Sequence, residues 1–223
     1  MKIDEDLAGD YSLPFPTVRL FTWVESTISL GRNQNPEKRL TLELCKRDGL
    51  SVVVRPTGGK ELLHGHDLCY SVIWPLDRFG EAIDSRRLMG EINETLVGVM
   101  ARFGIKARWR RGLNRRGVSK GPCFAQVDRG EIMVDGKKLI ASAQRIYDRA
   151  ILQQGSMPLG QPRINLADYL KGIDRESMSR QLKSGSAAFF ELVDETFSVG
   201  SIVDAFKEEF ELAFEAGTRL IER

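Results

Sequence analysis

Short apolar runs separated by glycine turns fill the first half of the chain. Residues 18–23 and 26–30 are rich in β-branched and aromatic side chains, which is typical of strands. Residues 52–54 and 68–74 have the same character on either side of a Gly-Gly turn, and they predict a strand pair. The pattern therefore predicts a β-rich first half.

Apolar residues at helical spacing predict two helices in the first half of the chain. Pro36 opens one, of about three turns, which ends before Gly49. Asp84 is the predicted N-cap of the other, and Gly104 ends it. The apolar positions of this second helix are Leu88, Ile92, Leu96, Val99, Met100 and Phe103.

The second half begins with a hairpin signal. Asp135-Gly136 between two apolar segments predicts a β-hairpin whose second strand continues to Leu152. A loop is expected from Gly155 to Pro162, because glycine and proline recur there. Farther on, residues 166–170 predict a short helix and residues 202–220 a longer amphipathic one.

Strands in the middle with helices on both sides predict an α+β fold with a central mixed or antiparallel sheet. A chain of 223 residues fits one domain, so residues 1–223 are predicted to be a single domain, with 161–223 as its helical C-terminal part. The chain has 42% apolar and 29% charged residues, and a net charge of +2. It has no apolar run long enough to span a membrane and no secretory h-region at its N-terminus, so we expect a cytoplasmic protein without membrane contact.

The strand after Asp135-Gly136 carries candidate chemistry. Strict alternation would place Lys138, Ile140, Ser142 and Gln144 on one face, with Ala143 on the other. Such a face could line a polar groove, or it could be the solvent face of an antiparallel sheet. The residue types alone leave both interpretations open.

Cys123 is the cysteine most suited to chemistry. It lies in Gly-Pro-Cys-Phe, where a loop would leave the thiol accessible, and a nearby ammonium would increase its thiolate fraction. Cys45 and Cys69 lie on a predicted helix and strand, and they are better suited to be small buried hydrophobes. Three cysteines make an odd count without zinc-ligand spacing, so no metal is predicted.

The Gly-Gly turn and the charged segment at 106–120 are also candidate binding elements. Gly58 and Gly59 lack a Cβ and can approach a ligand closely, although most such pairs only form turns. The segment 106–120 carries seven cations and no acid, which predicts a solvated basic face or a docking surface for an acidic partner. Trp109 is its single aromatic residue, so nucleic acid is not expected to be a partner.

Three segments in consistent order, within about residues 2–160, resemble the lipoate–protein ligase and octanoyltransferase family, whose catalytic domain is like that of biotin protein ligases and class II synthetases. The first runs from Arg19 to Gln34, and the second is Arg55-Pro-Thr-Gly-Gly-Lys-Glu-Leu-Leu-His64. The third comprises Cys123-Phe124, the Val134–Arg145 stretch and Leu152-Gln-Gln-Gly-Ser156.

The resemblance is closest to the cysteine-dependent octanoyltransferases of Gram-positive type. Ligases of the family usually have a third glycine where this chain has Lys60. In the octanoyltransferases a nucleophilic cysteine precedes the hairpin that bears an invariant lysine, and Cys123 and Lys138 occupy those positions. The chain departs from the family at Ala141, where glycine is usual, and at Gln154, where histidine is usual.

The resemblance implies transfer of an octanoyl group from acyl carrier protein to a lysine of a lipoyl domain, either the glycine-cleavage H protein or a dehydrogenase E2. Cys123 would carry the acyl group as a thioester, and Lys138 would assist it. The implied substrate-binding residues are Arg55, Gly58, Gly59, Lys60, His64, Ser142, Ala143 and Gln144. No cofactor is needed for this reaction.

Three alternatives remain at this point. An ATP-dependent lipoate–protein ligase would require ATP and Mg²⁺, and would use Lys138 to bind an adenylate. A lipoyl-domain amidotransferase would use the same thioester chemistry between two lipoyl domains. Outside the enzymes, the basic segment could belong to a module that binds RNA or an acidic protein.

Overall fold

The computed structural model describes residues 1–10, 15–76, 84–110, 122–125, 130–194, 196–214 and 219–222. Within these ranges the chain forms ten strands, six α-helices and three short 3₁₀ turns. In chain order the strands and α-helices are α1 (Lys2–Gly9), β1 (Thr17–Phe21), β2 (Thr27–Leu30), α2 (Pro36–Arg39), α3 (Leu42–Arg47), β3 (Ser51–Val54), β4 (Leu62–His64), β5 (Asp67–Pro75), α4 (Ser85–Ala101), β6 (Arg108–Trp109), β7 (Ile132–Val134), β8 (Lys137–Ile146), β9 (Ala150–Pro158), α5 (Arg175–Gly185), α6 (Val199–Ala213) and β10 (Arg219–Glu222). The 3₁₀ turns are Cys123–Ala125, Leu166–Asp168 and Phe189–Glu191.

A seven-stranded sheet runs in the order β10-β1-β5-β9-β8-β7-β6. All neighbours in it are antiparallel except β10, which pairs in parallel with β1 at the edge. A second sheet has the order β3-β2-β4, with β3 parallel and β4 antiparallel to β2. The predicted α+β class with a mixed sheet is confirmed.

Helices α4 and α6 cover one face of the large sheet and form the main core with it. The apolar positions predicted for α4 from Leu88 to Met100 are fully buried there, together with Phe206 and Phe210 of α6. As predicted, Asp84 caps α4, and its Oδ1 accepts hydrogen bonds from the backbone N–H groups of the next two residues but one. The helical spacing thus identified the face that packs against the sheet.

The opposite face of the large sheet carries α1. Asp4 of this helix is completely buried and accepts hydrogen bonds from Arg19 Nη1 (2.7 Å), Ser71 Oγ (2.9 Å) and Gln154 Nε2 (2.6 Å). These three donors lie on β1, β5 and β9. The Asp4 carboxylate therefore attaches α1 to three neighbouring strands at once.

The predicted pairing of residues 52–54 with 68–74 is wrong, because the two strands lie in different sheets. β3 pairs with β2 in the small sheet, and β5 lies in the large sheet between β1 and β9. The connection between them contains β4, which pairs with β2. The Gly-Gly segment therefore leads from one sheet to the other instead of closing a hairpin.

The single helix predicted after Pro36 is wrong as well, since two short helices occupy this region. Leu40 between them is extended (φ −122°, ψ 149°) and forms an isolated bridge with Leu170. Its side chain is completely buried in a second core, between the small sheet and α5. Burial of Leu40 thus interrupts the helical pattern.

The hairpin at Asp135-Gly136 is confirmed, and both residues have positive φ values (47° and 78°). The single strand predicted to reach Leu152 is instead a pair, because the chain reverses between β8 and β9. β9 continues through the predicted loop at Gly155 to Pro158, since its backbone groups pair with β5 and β8.

The C-terminal prediction is corrected in the same way. The helix expected over 202–220 ends at Ala213, and residues 219–222 form β10, which pairs with β1. The prediction of one domain over residues 1–223 stays a prediction. Across the described ranges, no helix is both long enough and apolar enough to cross a membrane.

Candidate active site

Cys123 and Lys138 lie together beside the small sheet. Cys123 occupies a 3₁₀ turn, where its N–H donates to Glu61 O (3.0 Å) and its side chain remains partly accessible. The Lys138 side chain is completely buried. Its ammonium donates to the carbonyl oxygen of Cys123 and forms an ion pair with the buried carboxylate of Glu131. A carboxylate and a carbonyl thus compensate a charge that would be costly to bury alone.

A β-bulge corrects the predicted faces of β8. Ile132 pairs with Ile140 but Met133 pairs with Lys138, so the strand contains one extra residue at this point. Lys138 consequently lies near Phe124 (5.5 Å from Nζ to the ring centroid), and Ala141 contacts the same ring. The prediction that Lys138 shares a face with Ser142 and Gln144 is therefore wrong.

Ser142 and Gln144 belong to a polar network on the core side of the large sheet. Ser142 Oγ is 2.7 Å from Tyr70 Oη, which accepts a hydrogen bond from Gln153 Nε2 (2.9 Å). Gln144 Nε2 donates to Gln153 Oε1 (2.8 Å). Burial raises the pKa of Tyr70 to about 12, so its phenol keeps its proton at neutral pH. Ser142 also reaches the cavity described below, whereas Gln144 does not line it.

Arg55 shapes the Gly-Gly segment from within. Its buried guanidinium donates from Nη2 to the carbonyl oxygens of Gly58 (2.8 Å) and Lys60 (2.8 Å), and from Nη1 to Ser29 Oγ (3.0 Å). Burial lowers the pKa of Arg55, while nearby acidic groups oppose this shift. Gly59 has φ +96°, a conformation that side chains rarely adopt. The arginine therefore fixes a backbone path that only glycine accommodates well.

His64 belongs to a buried network centred on Asp67. His64 Nδ1 lies 2.6 Å from Asp67 Oδ2, and His64 Nε2 lies 2.8 Å from Ser29 Oγ. The same Asp67 oxygen accepts from Ser156 Oγ (2.6 Å) and Cys69 Sγ (3.1 Å). Both ring nitrogens of His64 are thus engaged, which fits a positioning residue at the cavity wall.

The charge of Asp67 is stabilised by this network. Burial by itself raises the pKa of Asp67, but His64 and the hydrogen bonds from His64, Ser156 and Cys69 outweigh that effect and hold the pKa well below its ordinary value. Trp23 closes the network, since its ring stacks on His64 (4.6 Å between centroids) and its Nε1 donates to Cys69 Sγ (3.3 Å).

The Asp67 network was not anticipated from the sequence. The one local signal is the His-x-x-Asp spacing of His64 and Asp67. Ser29 and Ser156 are far away in the chain and reach the network only through the pairing of β2 with β4 and of β5 with β9.

The same residues include a set of possible metal ligands. The ligand atoms of His64, Asp67 and Cys69 lie within 4.8 Å of one another. Burial raises the pKa of the Cys69 thiol well above its ordinary value, so the sulfur keeps its proton, whereas a metal ligand would be a thiolate. The cluster is better explained by its internal hydrogen bonds.

A cavity lies between the two sheets, next to Cys123. Arg55, Gly59, Lys60 and His64 line it from the small-sheet side. Gly58 does not line it, and its carbonyl oxygen binds Arg55 instead. The apolar and small residues of the wall are Met1, Phe21, Leu62, Cys69, Ala141, Ala143 and Gly155. Such a wall suits a hydrocarbon chain, with the Cys123 thiol at its edge.

The two departures from the family pattern have local explanations. Gln154 uses both ends of its amide, accepting from Thr57 Oγ1 (2.8 Å) and donating to Asp4 Oδ2 (2.6 Å). Ala141 packs against Leu62 and Phe124 in a small apolar cluster. Gln154 thus connects α1 to the Gly-Gly segment, and Ala141 contributes to the wall of the cavity.

The basic segment can be described only in part. Lys106, Arg108 and Arg110 lie in the described ranges, and Arg110 N donates to Glu131 O (3.1 Å), next to the partner of Lys138. The other cations of the segment, and the docking surface predicted on them, lie outside the described residues: Arg111, Arg115, Arg116 and Lys120.

Comparison with known proteins agrees with this geometry. The profile of the lipoyl protein ligase A/B catalytic domain matches residues 1–211. The chain is 30% identical to octanoyltransferase LipM of Lysinibacillus sphaericus over 222 residues, which covers 94% of this chain and 80% of the relative. It is 31% identical to octanoyltransferase LipM of Geobacillus kaustophilus over 223 residues, covering 95% and 80%.

Two solved structures show the same fold at lower identity. One belongs to a study of a bi-partite lipoate protein ligase and its E2 lipoyl domain from Thermoplasma acidophilum (TM-score 0.77, 20% identity, 100% of this chain and 81% of that chain). The other is a lipoate-protein ligase A bound with ATP (TM-score 0.76, 21% identity, 99% and 82%). This similarity confirms the predicted catalytic-domain fold.

Proposed function

The chain belongs to the lipoyl protein ligase A/B catalytic domain family, and we propose that it moves an octanoyl group from acyl carrier protein to a lysine of a lipoyl domain through a thioester on Cys123. The observation that supports this most is the position of Cys123, which lies at the edge of an apolar cavity and against the buried ammonium of Lys138. Octanoyl transfer is also the activity that the names of the LipM relatives give.

In the proposed first step, the Cys123 thiolate attacks the carbonyl carbon of the donor thioester. A new carbon–sulfur bond forms at Cys123, the carbon–sulfur bond to the pantetheine breaks, and the carrier thiol leaves with a proton. In the second step the amine of the acceptor lysine attacks the acyl-Cys123 carbonyl, an amide forms, and Cys123 is released. Each step exchanges one acyl bond for another, so the energy of the thioester suffices without ATP.

Lys138 is proposed to stabilise the negative charge that develops in both steps. Its ammonium is already ordered by the Cys123 carbonyl and by Glu131, in a site from which water is excluded. A preorganised cation stabilises a transition state without reorganisation at the moment of reaction. The pairing with Glu131 keeps the ammonium charged while it waits for the substrate.

The proposed acyl-enzyme can be tested by mass. Incubation with octanoyl-carrier protein in the absence of ATP should add one octanoyl group to the wild-type protein, and Cys123→Ser should show no adduct. Cys69→Ser is the matched control and should still form the adduct, because Cys69 is buried and hydrogen-bonded to Asp67. A wild-type protein without adduct would overturn the proposal.

The second candidate is an ATP-dependent lipoate–protein ligase, the activity named for a structural neighbour that binds ATP. In that reaction Lys138 would bind an adenylate, and ATP and Mg²⁺ would be required. Release of AMP on incubation with ATP and lipoate, undiminished in Cys123→Ser, would favour the ligase. Lys60, which lines the cavity where ligases usually have glycine, favours the transferase.

Two further alternatives use the same preparation. Octanoyl transfer from an octanoylated lipoyl domain, but not from the carrier protein, would identify an amidotransferase. Salt-sensitive RNA binding that survives Cys123→Ser, without any adduct, would favour a non-enzymatic module.

A further inference from the structure

A second groove lies on the other side of the wall that closes the acyl cavity. Leu62 borders both spaces, and Phe124 lines the groove while Cys123, its neighbour in the chain, lines the cavity. Leu62 and Phe124 pack together with Ala141 and Leu182 in one apolar cluster. The groove therefore begins where the acyl cavity meets the Cys123 thiol.

Helix α5 forms one side of the groove and is attached to the catalytic strand. Ser186, directly after α5, forms a bridge with Lys138, and Ala187 N donates to Lys138 O (2.9 Å). The residues that follow β9, including Pro162 and Ile164, form the opposite side. A ligand in this groove would thus lie against the same segment that holds the Lys138 ammonium.

The two ends of the groove differ in charge. Arg163 and Lys183, on opposite sides, are exposed cations, and no described residue forms an ion pair with either. At the end near Cys123 the groove is lined by Glu61, whose carboxyl group is completely buried. Glu61 Oε1 accepts hydrogen bonds from Gln34 and Arg39, whereas Glu61 Oε2 has no partner among the described residues.

Unsatisfied buried carboxylate oxygens are costly, and a ligand that donates a hydrogen bond would offset this cost. A 4′-phosphopantetheine arm has matching groups in the right order. Its thioester end carries amide N–H donors, its middle is largely aliphatic, and its far end is a phosphate dianion suited to lysine and arginine.

We propose that this groove holds the 4′-phosphopantetheine arm of the thioester donor, with the phosphate at Lys183 and Arg163 and an amide N–H on Glu61 Oε2. This inference rests on the proposed function, because it places the donor thioester at Cys123. It adds a substrate site separate from the acyl cavity, with residues that do not take part in the chemistry.

The test compares two small donors, S-octanoyl-4′-phosphopantetheine and S-octanoyl-pantetheine, which differ only in the phosphate. The rate of octanoyl-Cys123 formation is followed by intact mass, and the ratio of the two kcat/KM values is the readout. We expect the wild type to prefer the phosphorylated donor about tenfold, as for a charge-assisted contact at the surface. Lys183→Ala combined with Arg163→Ala should reduce the ratio to about twofold or less.

Arg180→Ala is the matched control, because Arg180 is an exposed cation of α5 that does not line the groove. It should keep the wild-type ratio. Carrier protein and coenzyme A present the same arm, so octanoyl-carrier protein and octanoyl-CoA are measured as further donors, and the larger kcat/KM identifies the source.

The outcomes separate this inference from the proposed function. Equal rates with both small donors in the wild type, while the adduct forms, would overturn the phosphate site and leave the transferase intact. A preference that Lys183→Ala and Arg163→Ala do not reduce would overturn the site as well. No adduct from any donor would overturn the transferase and this inference together.

Discussion

At the scale of single residues, the site depends on buried charges that are fully engaged. Asp67 accepts hydrogen bonds from His64, Ser156, Cys69 and the N–H of Gly65. His64 in turn contacts Ser29, which also binds Arg55. One carboxylate therefore fixes a chain of side chains that ends at the Gly-Gly segment, and its removal should affect stability as well as the cavity.

Replacing Asp67 by Asn should lower the free energy of unfolding at pH 7 by about 2–4 kcal/mol, because the donors around it lose a charged acceptor. The pKa of Asp67 is lowered in the folded protein, so its stabilising contribution is present above about pH 4, the ordinary aspartate range, and is lost as the pH falls through the folded-state pKa. Urea unfolding between pH 7 and pH 2.5 should show the difference from wild type shrinking below pH 4.

Asp148→Asn is the control for this experiment, because Asp148 is exposed in the turn between β8 and β9. It should unfold like the wild type within about 0.5 kcal/mol at every pH. A difference for Asp67→Asn that stays constant down to pH 2.5 would contradict the argument.

At the scale of elements, the end of β2 supports the Gly-Gly segment through a close backbone contact. A Cβ added to Gly31 would lie 2.1 Å from Gly59 O and 2.9 Å from the carbonyl carbon of Gly58. Both contacts are to backbone, which cannot move aside as a flexible side chain can. Gly31 therefore sets the distance between β2 and the segment that lines the cavity.

Gly31→Ala should consequently lower the free energy of unfolding by about 1–3 kcal/mol, as overpacking generally does, and should slow octanoyl-Cys123 formation because the cavity wall shifts. Gly58→Ala is the stability control, since a Cβ there would meet no atom within 4 Å and its φ is not in the positive range. Chemical denaturation of both variants measures the difference. Equal stability of Gly31→Ala and wild type would show that the segment is free to move.

At the scale of the whole molecule, the site forms where the two sheets meet. β4 and the Gly-Gly segment come from the small sheet, whereas the strand of Lys138 belongs to the large one. The net charge is only +2, but seven cations are concentrated within residues 106–120, and the described part of this segment pairs with β7 beside Glu131. An acidic carrier protein or lipoyl domain would thus be attracted to one side of the molecule.

Charge reversal of Arg115 and Arg116 to Glu should raise the apparent KM for octanoyl-carrier protein about threefold to tenfold at low salt. The effect should diminish at 0.5 M NaCl, because salt screens charges exposed to solvent. Steady-state transfer at both salt concentrations is the measurement. Charge reversal of Lys46 and Arg47, an adjacent exposed pair on α3, is the control, and an equal rise in that variant would contradict a specific docking surface.

The local pattern determined much of the secondary structure. Helical spacing predicted α4 with its Asp84 cap, and Asp135-Gly136 predicted the β7–β8 hairpin, because each signal is contained within a few residues. Boundaries that depend on distant contacts were wrong. Leu40 leaves the helix to bridge Leu170, and residues 219–222 leave the predicted helix to pair with β1.

The sequence by itself determined which residues carry the chemistry: the order of Cys123, Lys138 and the Gly-Gly segment indicated the family and the site. Only the tertiary structure decided how they are arranged. The bulge in β8 turns Lys138 towards Phe124 and away from Ser142, and the junction of the two sheets creates the Asp67 network and the cavity. The physical reason is that register, bulges and buried hydrogen bonds are set by partners far away in the chain, which no local pattern contains.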